Sequence, residues 1–162
     1  MKISEGVEWA IHCCTLLANL PDNYRLPKSK LAAFFDIPEH YLAKFMQKLS
    51  STGIISSTRG VNGGYRLAKP ASDISMLEIV IAIEGSALFF RCTEIRQCGP
   101  TGVSKRDYIR PCGIARAMWK AEEAWRRELS KTNIADIQLL GLQETPPEQM
   151  KKSFKWFKES LT

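Results

Sequence analysis

Two short helices separated by a turn are predicted by the hydrophobic pattern between residues 27 and 53. In the first helix Leu31, Phe34 and Phe35 lie three and four residues apart, which is the spacing of one buried helix face. Pro38 then interrupts the pattern, because it has no N–H to donate and restricts the residue before it. Helical spacing resumes after the proline, at Leu42, Phe45, Met46 and Leu49. The pattern therefore predicts helix, turn, helix, with one apolar and one polar face on the second helix.

A β-hairpin is predicted directly after the second helix. Residues 54–58 include a β-branched run, turn-forming residues dominate 59–64, and residues 65–67 complete the second strand. Arg59 lies at the hairpin tip. Helix, turn, helix and a basic-tipped hairpin, in this order, are typical of a winged helix-turn-helix. The alternative is a helical hairpin followed by a β-hairpin in some α+β domain, and it is disfavoured because the element order agrees with the polar composition of the free helix face.

The free face of the second helix and the hairpin tip are the expected DNA contacts. A helix of this kind fits the major groove, and an arginine on a wing can enter the minor groove, where the electrostatic potential is most negative. Tyr41, at the start of the helix, is expected to reach the DNA backbone. The complete set of predicted DNA-binding residues is His40, Tyr41, Lys44, Gln47, Lys48 and Arg59.

The rest of the chain predicts further helices, so the fold class is mainly α with a small β-hairpin. Ser4 is a candidate N-cap for the first helix, and Gly85 is a candidate stop for the helix after the wing. Thr132 and its neighbours are expected to cap a brief helix that ends near Leu140. The additional helices are predicted over residues 4–19, 75–84, 113–131, 132–140 and 148–161.

The longest predicted helix, residues 113–131, carries an apolar stripe that includes Met118 and Trp125. A compact DNA-binding head does not need a solitary helix of this length, so we expect it to form a homodimer. Two-fold symmetry would suit a palindromic double-stranded operator. The chain is therefore expected to comprise a winged helix-turn-helix domain (1–85), a cysteine-bearing loop (86–112), and a dimerisation helix with C-terminal helices (113–162).

Composition supports a polyanionic partner and a cytoplasmic location. The 162 residues carry a net charge of +6, and residues 1–70 hold nine Lys and Arg against five Asp and Glu. No apolar run is long enough for a transmembrane helix, and the first residues lack the features of a signal peptide. Neither a nucleophile–base pair nor a phosphate-binding loop is found in the sequence. The glycines at 60, 63 and 64 are not a dinucleotide-binding fingerprint, because no helix follows them.

Five cysteines in a chain without an export signal are not expected to form a disulfide framework. Cys13 and Cys14 lie in an apolar helical stretch and are predicted to be core residues. Cys92, Cys98 and Cys112 fall in a loop of about twenty residues, which is long enough to require a functional reason. Their spacing does not match a zinc finger.

Thiolates beside arginines suit an iron–sulfur cluster, but three structural cysteines or a thiol redox switch explain the loop spacing equally well. On the first helix Glu8 and His12 are four residues apart, so they share a face and could hold one ligand together. The simpler interpretation is a surface pair in which Glu8 supports His12.

Several motifs together resemble one family over residues 1 to about 140. They are Val7-Glu8-Trp9-Ala10, Tyr41-Leu42, Arg59-Gly60-x-x-Gly63-Gly64-Tyr65-Arg66-Leu67, and a three-cysteine loop before a long helix. The chain resembles the winged-helix regulators that include the iron–sulfur cluster regulator and the nitric-oxide-sensing nitrite repressor. Within this family it is most similar to the redox-sensitive regulator of actinobacteria, through Glu8-Trp9-Ala10-x-His12-Cys13-Cys14, Cys92-Thr93-Glu94-Ile95-Arg96-Gln97 and Ile114-Ala115-Arg116-Ala117-Met118.

This resemblance implies an iron–sulfur cluster, [2Fe-2S] rather than [4Fe-4S], with mixed Cys, His and Glu ligands. The implied ligands are Cys92, Cys98 and Cys112 from the loop and Glu8 from the first helix, with His12 as a fifth candidate. The interval from Cys98 to Cys112 is longer than the family's usual spacing, and Ala115 stands where a loop-following histidine would lie. Both departures favour participation by Glu8 and His12.

The sequence is therefore expected to encode a homodimeric repressor whose cluster changes DNA affinity in response to redox state or nitric oxide. Its partners would be operator DNA and a second copy of the chain, with no membrane association. One alternative is a cluster-free winged-helix regulator controlled by thiol oxidation or by a partner protein. An alternative of another class is a thiol or metal redox enzyme that binds no DNA.

Overall fold

Seven α-helices, three short 3₁₀ helices and one antiparallel hairpin make up the regular structure of residues 3–22, 24–60 and 63–161, the parts of the chain that the computed structural model describes. This confirms a mainly α fold with a small β-hairpin. In chain order the elements are α1 (Glu5–Leu17), α2 (Lys28–Phe35), α3 (Glu39–Ser51), β1 (Ile55–Thr58), β2 (Gly64–Leu67), α4 (Met76–Glu84), α5 (Gly113–Lys131), α6 (Ile134–Glu144) and α7 (Pro147–Ser160).

The turn between α2 and α3 forms where the sequence predicts it. Asp36 ends α2 in the left-handed conformation, with φ of 53°, which a short polar side chain tolerates better than a branched one. Ile37 is buried and donates its N–H to the carbonyl of Ala32 at 3.0 Å. Pro38 then stands at the N-cap of α3. Helix α3 buries the four apolar residues expected, which are Leu42, Phe45, Met46 and Leu49.

The wing is attached to the segment that precedes α2. Strands β1 and β2 pair in antiparallel register from Ile55 with Leu67 to Thr58 with Gly64. Leu26 extends this sheet by exchanging two backbone hydrogen bonds of 2.9 Å with Tyr65. The approach requires Gly64, because a Cβ atom there would lie 2.5 Å from the Leu26 carbonyl oxygen. Val61 and Asn62 of the predicted tip lie outside the described residues.

The core lies between α1, α3, α4 and α6. Ala10, Cys13 and Cys14 of α1 are fully buried, as are Ile79 of α4 and Ile134 of α6. The interior positions of Cys13 and Cys14 agree with their prediction as core residues. Ile11 and Ala18 of the same helix are only half-buried.

Helix α4 joins the head to the loop, and both of its ends are specifically held. Ser75 and Glu78 form a reciprocal capping box at its start, and Gly85 ends it with φ of 89°. Near that end, Glu84 accepts hydrogen bonds from the backbone N–H and the hydroxyl of Ser4. Ser4 does stand at the N-cap position of α1, but its side chain binds α4 instead of capping its own helix.

The C-terminal helices pack against the head. Asn133, and not Thr132, caps α6 through a capping box with Asp136, and α6 runs to Glu144 instead of ending near Leu140. On α7, Trp156 contacts the ring of Phe34 in α2, with the ring centroids 4.7 Å apart. Among the described residues, no helix combines the length and apolar character needed to span a membrane.

We expect Leu42→Ala to lower the free energy of unfolding by about 2 to 5 kcal/mol, because it empties a fully buried position of α3. The measurement is equilibrium unfolding in urea. The matched control is Leu139→Ala on α6, where the side chain is 57% exposed and the expected loss is under about 1 kcal/mol. Equal losses at the two positions would contradict the packing described for α3.

Cys13 and Cys14 should resist iodoacetamide at pH 8 until the protein unfolds. Burial raises the pKa of both thiols, that of Cys14 to about 12, so neither forms the reactive thiolate at this pH. Exposed Cys98 provides the internal comparison and should be alkylated first. Mass spectrometry of peptides from native and urea-treated protein distinguishes the sites. Alkylation of Cys13 and Cys14 at the rate of Cys98 would show that α1 is not packed as described.

Candidate functional site

The polar face of α3 is presented outward beside the wing. His40, Lys44 and Gln47 are exposed, and Arg59 is exposed immediately after β1. Gln47 and Arg59 line the same groove, of about 920 Å³, between α3 and the wing. Four of the six predicted DNA-binding residues are therefore available to a ligand on one side of the head.

The other two predicted DNA-binding residues are more constrained. Tyr41 is half-buried, with its ring in edge contact with Phe45 at 5.7 Å. Lys48 is exposed along its stem, but its ammonium group donates a 2.6 Å hydrogen bond to the carbonyl of Ile83 at the end of α4. Lys48 thus connects the polar face of α3 to the helix that leads into the cysteine loop.

A further charged pair, which the sequence analysis did not identify, borders this groove. Lys28 at the start of α2 and Glu39 at the start of α3 form an ion pair of 3.0 Å, with both side chains almost half exposed. The pair bridges the two helices of the motif. Its signal in the sequence was weak, because the two residues are eleven positions apart on different predicted elements.

Glu8 and His12 share an exposed face of α1, as their spacing predicts. They line a surface groove of about 510 Å³ together with Ile137 of α6. The imidazole of His12 also approaches the ring of Phe35, the last residue of α2, with the ring centroids 5.9 Å apart. This contact places a candidate ligand directly against the helix-turn-helix.

The first part of the cysteine loop is fixed to α5. The buried carboxylate of Glu122 accepts the N–H of Phe89 at 3.0 Å and pairs with Arg126 at 2.8 Å. Trp119 donates its indole N–H to the carbonyl of Phe90 at 3.2 Å. The ring of Phe89 packs against Trp125, so Trp125, expected in the dimer stripe, contacts its own chain. The sequence feature that indicates this ion pair is the four-residue spacing of Glu122 and Arg126 on a predicted helix.

Cys92 and Cys112 are brought together by one carboxylate. The thiol of Cys92 donates to Oε1 of Glu94 at 3.6 Å, and the backbone N–H of Cys112 donates to the same oxygen at 3.4 Å. Cys112 stands at the N-cap of α5, where backbone N–H groups of Ala115 and Ile114 lower its thiol pKa, with a further contribution from Arg96. Cys98, the third loop cysteine, is exposed.

Arg96 holds Glu94 from the other side. The guanidinium donates to Oε2 of Glu94 at 2.6 and 2.9 Å, and this hydrogen bond lowers the pKa of the carboxyl group. The same guanidinium donates to the Arg110 carbonyl at 3.3 Å and stacks over the ring of Tyr108 at 4.6 Å. Arg96 is one of the loop arginines expected to lower the thiol pKa values, whereas Glu94 was not identified from the sequence, because its function depends on contacts across the loop.

The five candidate metal ligands do not converge within one chain. Glu8 and His12 line one groove, whereas Cys92 lines another, beside Glu94. In the part of the chain that the structure describes, no group of three or more His, Cys, Asp and Glu side chains is arranged to hold a metal ion. The structure therefore supplies two separate pairs of candidate ligands. Cys92 and Cys112 form the loop pair, and Glu8 and His12 form the α1 pair.

Comparisons with known proteins identify the family. YffB of Lactococcus lactis subsp. lactis, named as an HTH-type transcriptional regulator, is 32% identical over 140 residues, which cover 85% of this chain and 86% of YffB. The fold is similar to that of CymR (YrzC), the global cysteine regulator of B. subtilis, with a TM-score of 0.67 and 21% identity over 86% of this chain and 98% of that one. It is also similar to T. potens IscR, with a TM-score of 0.62 and 21% identity over 92% of this chain and 91% of that one.

The similarity to these structures confirms the winged helix-turn-helix fold with C-terminal helices. Residues 3–138 match the family model Rrf2, which describes iron-dependent transcriptional regulators. This match spans most of the chain and is to a family of regulators, not enzymes. The chain therefore belongs to the Rrf2 family of DNA-binding transcription regulators.

Proposed function

We propose that this regulator is a homodimeric repressor of the redox-sensitive type, in which a [2Fe-2S] cluster controls binding to a palindromic operator in response to redox state or nitric oxide. The observation that carries the proposal is the placement of Cys92 and Cys112 at one carboxylate, with Cys112 also near Arg96 and at the N-terminus of α5. Positive charge and helix N–H groups stabilise thiolates, the form of cysteine that binds iron.

The remaining ligands would come from Glu8 and His12, with Cys98 as the loop alternative. Because Glu8 and His12 line one groove and Cys92 lines another, the described residues of one chain do not supply a four-ligand site by themselves. A homodimer contains two copies of each pair, so α1 of one protomer could complete the loop site of its partner. A bound cluster would supply a one-electron redox change at the junction of these residues.

Contacts of the α1 pair connect such a site to the DNA-binding head. His12 packs against Phe35 at the end of α2, so a change in the position of the imidazole would alter its contact with the helix-turn-helix. Imidazole and carboxylate are harder ligands than thiolate and bind iron less tightly. The α1 pair is therefore better suited than the loop cysteines to release and rebinding.

A cluster-free regulator controlled by thiol oxidation or by a partner protein is the second candidate. The observation that favours it is the separation of the five candidate ligands in one chain. Purified protein that is colourless and iron-free after anaerobic reconstitution, yet binds DNA according to its thiol oxidation state, would establish this alternative.

Arg59→Ala should weaken operator binding by about 1 to 3 kcal/mol if the arginine enters a groove, and Lys44→Ala should weaken binding uniformly and reduce the salt slope by about one. Lys44 is chosen because the ammonium group of Lys48 binds Ile83. Fluorescence anisotropy over a range of KCl concentrations measures both effects. Lys152→Ala, on the exposed surface of α7, is the charge-matched control and should leave affinity unchanged. Wild-type affinity in folded Arg59→Ala protein would exclude the wing contact.

We expect Cys92→Ala and Cys112→Ala to abolish cluster binding, because each removes one of the thiolate ligands proposed for the cluster. Glu8→Ala and His12→Ala should retain an altered, labile cluster while uncoupling DNA affinity from redox state. The measurements are anaerobic absorption spectra, iron and sulfide per chain, and operator titrations with oxidised and reduced protein. Cys98→Ala is the comparison. If Cys98→Ala removes the cluster while Glu8→Ala and His12→Ala behave as wild type, the ligands belong to the loop only.

Ile114→Glu combined with Met118→Glu should give monomers and abolish tight operator binding. These side chains are 68% and 45% exposed, and with Ala117 and Ala121 they form a stripe at helical spacing on α5. Trp125 is left unchanged because it packs within its own chain. Sedimentation velocity measures the oligomeric state. Ser130→Glu, a charge insertion elsewhere on α5, is the control, and a variant that still sediments as a dimer would rule out this interface.

A further inference from the structure

Glu94 is the point at which the two ends of the cysteine loop meet. Its Oε1 atom accepts a hydrogen bond from the Cys92 thiol at 3.6 Å and another from the Cys112 N–H at 3.4 Å. The two cysteines are twenty positions apart in the sequence, so this oxygen connects residues that the backbone does not hold together. The second oxygen, Oε2, is occupied by Arg96.

Contacts of Arg96 fix the orientation of this carboxylate. The guanidinium binds Oε2 through two nitrogen atoms, stacks on Tyr108, and donates to the Arg110 carbonyl. Tyr108 in turn donates its hydroxyl to the Arg96 carbonyl at 2.6 Å. These contacts leave Oε1 directed at the cysteine pair, and they tie the incoming part of the loop to the segment just before Cys112.

The backbone of Glu94 is also unusual. Its φ of 50° lies in the left-handed region, which residues other than glycine, asparagine and aspartate seldom adopt. Such a conformation persists where surrounding contacts hold it. Here those contacts are the four donors on the carboxylate, from Cys92, Cys112 and two nitrogens of Arg96.

We propose that Glu94 is a positioning residue that holds Cys92 and Cys112 at a fixed separation and thereby sets the geometry of the ligand pair. The inference deepens the proposed function, because it names a residue that acts on the ligands without being one of them. Glutamine at this position keeps an acceptor oxygen but loses the charge that pairs with Arg96, and alanine loses both.

The test uses reduced, chelator-treated protein in a Cys98→Ser background and the bifunctional thiol reagent dibromobimane, which bridges two neighbouring thiols. The parent should form a Cys92–Cys112 bridge, identified by mass spectrometry. Glu94→Ala should slow bridging about tenfold, and Glu94→Gln should fall between the two, because orientation governs a reaction that needs both thiols together. Glu128→Ala, which breaks an exposed ion pair with Lys131 on α5, should match the parent.

A second readout separates positioning from general disruption of the fold. Single alkylation of Cys92 by iodoacetamide should not slow in Glu94→Ala, because its thiol is released from the carboxylate, and Cys13 and Cys14 should stay protected. Unchanged bridging in Glu94→Ala would overturn the proposal, and so would a loss of bridging accompanied by exposure of the α1 cysteines.

Anaerobic reconstitution distinguishes this inference from the proposed function. Glu94→Ala should load iron and sulfide but lose them to a chelator faster than the parent. If the wild-type chain, which keeps Cys98, takes up no iron while bridging still depends on Glu94, the cluster proposal fails and the positioning role stands. If the parent binds a cluster and bridging ignores Glu94, the positioning role fails and the cluster proposal stands.

Discussion

The buried pair of Glu122 and Arg126 is the interaction on which the cysteine loop depends. The Glu122 carboxylate holds the N–H of Phe89, and the Arg126 guanidinium donates to the carbonyls of Ser86 and Ala87 at 3.5 and 3.3 Å. Side chains that are 5% and 21% exposed form an ion pair whose disruption leaves an uncompensated charge, which costs about 3 to 5 kcal/mol in buried pairs. The loop thus leaves the head along α5 and returns to the start of the same helix at Cys112. This path brings Cys92 within reach of Cys112.

A second junction connects the loop to α3. At the end of α4, Glu84 binds Ser4 at the start of α1, and Lys48 of α3 binds the carbonyl of Ile83. Gly85 follows at once and begins the loop. Helices α1, α3 and α4 therefore meet at the end of α4, directly before the loop that carries the cysteines. A displacement at the base of the loop would act directly on these contacts, because no further residue lies between the end of α4 and the Lys48 side chain of α3.

The sequence predicted the helix-turn-helix, wing and long helix well because their hydrophobic periods are strong and local. Predictions became inaccurate where long-range contacts decide the outcome. Helix α6 continues through Gly141 because its apolar face packs near α1, and a glycine in a packed helix costs only about 1 kcal/mol. Trp125 lies on the predicted stripe, yet Phe89 covers it, which no periodicity on α5 reveals. Glu94 and Arg96 lack any repeating pattern. The DNA contacts, the metal ligands and the domain boundaries stay predictions.

The five cysteines differ in their surroundings, and these differences bear on which chemistry each can perform. Cys13 and Cys14 have pKa values raised by burial and suit only a packing role. Cys112 has a lowered pKa and only a small exposed fraction, so its thiolate is stabilised at a site of limited access. Cys98, in contrast, is exposed to solvent. A metal ligand requires a stabilised thiolate in a fixed position, whereas a first site of oxidation requires access. Cys112 therefore fits ligation, and a thiol-oxidation response would begin at Cys98.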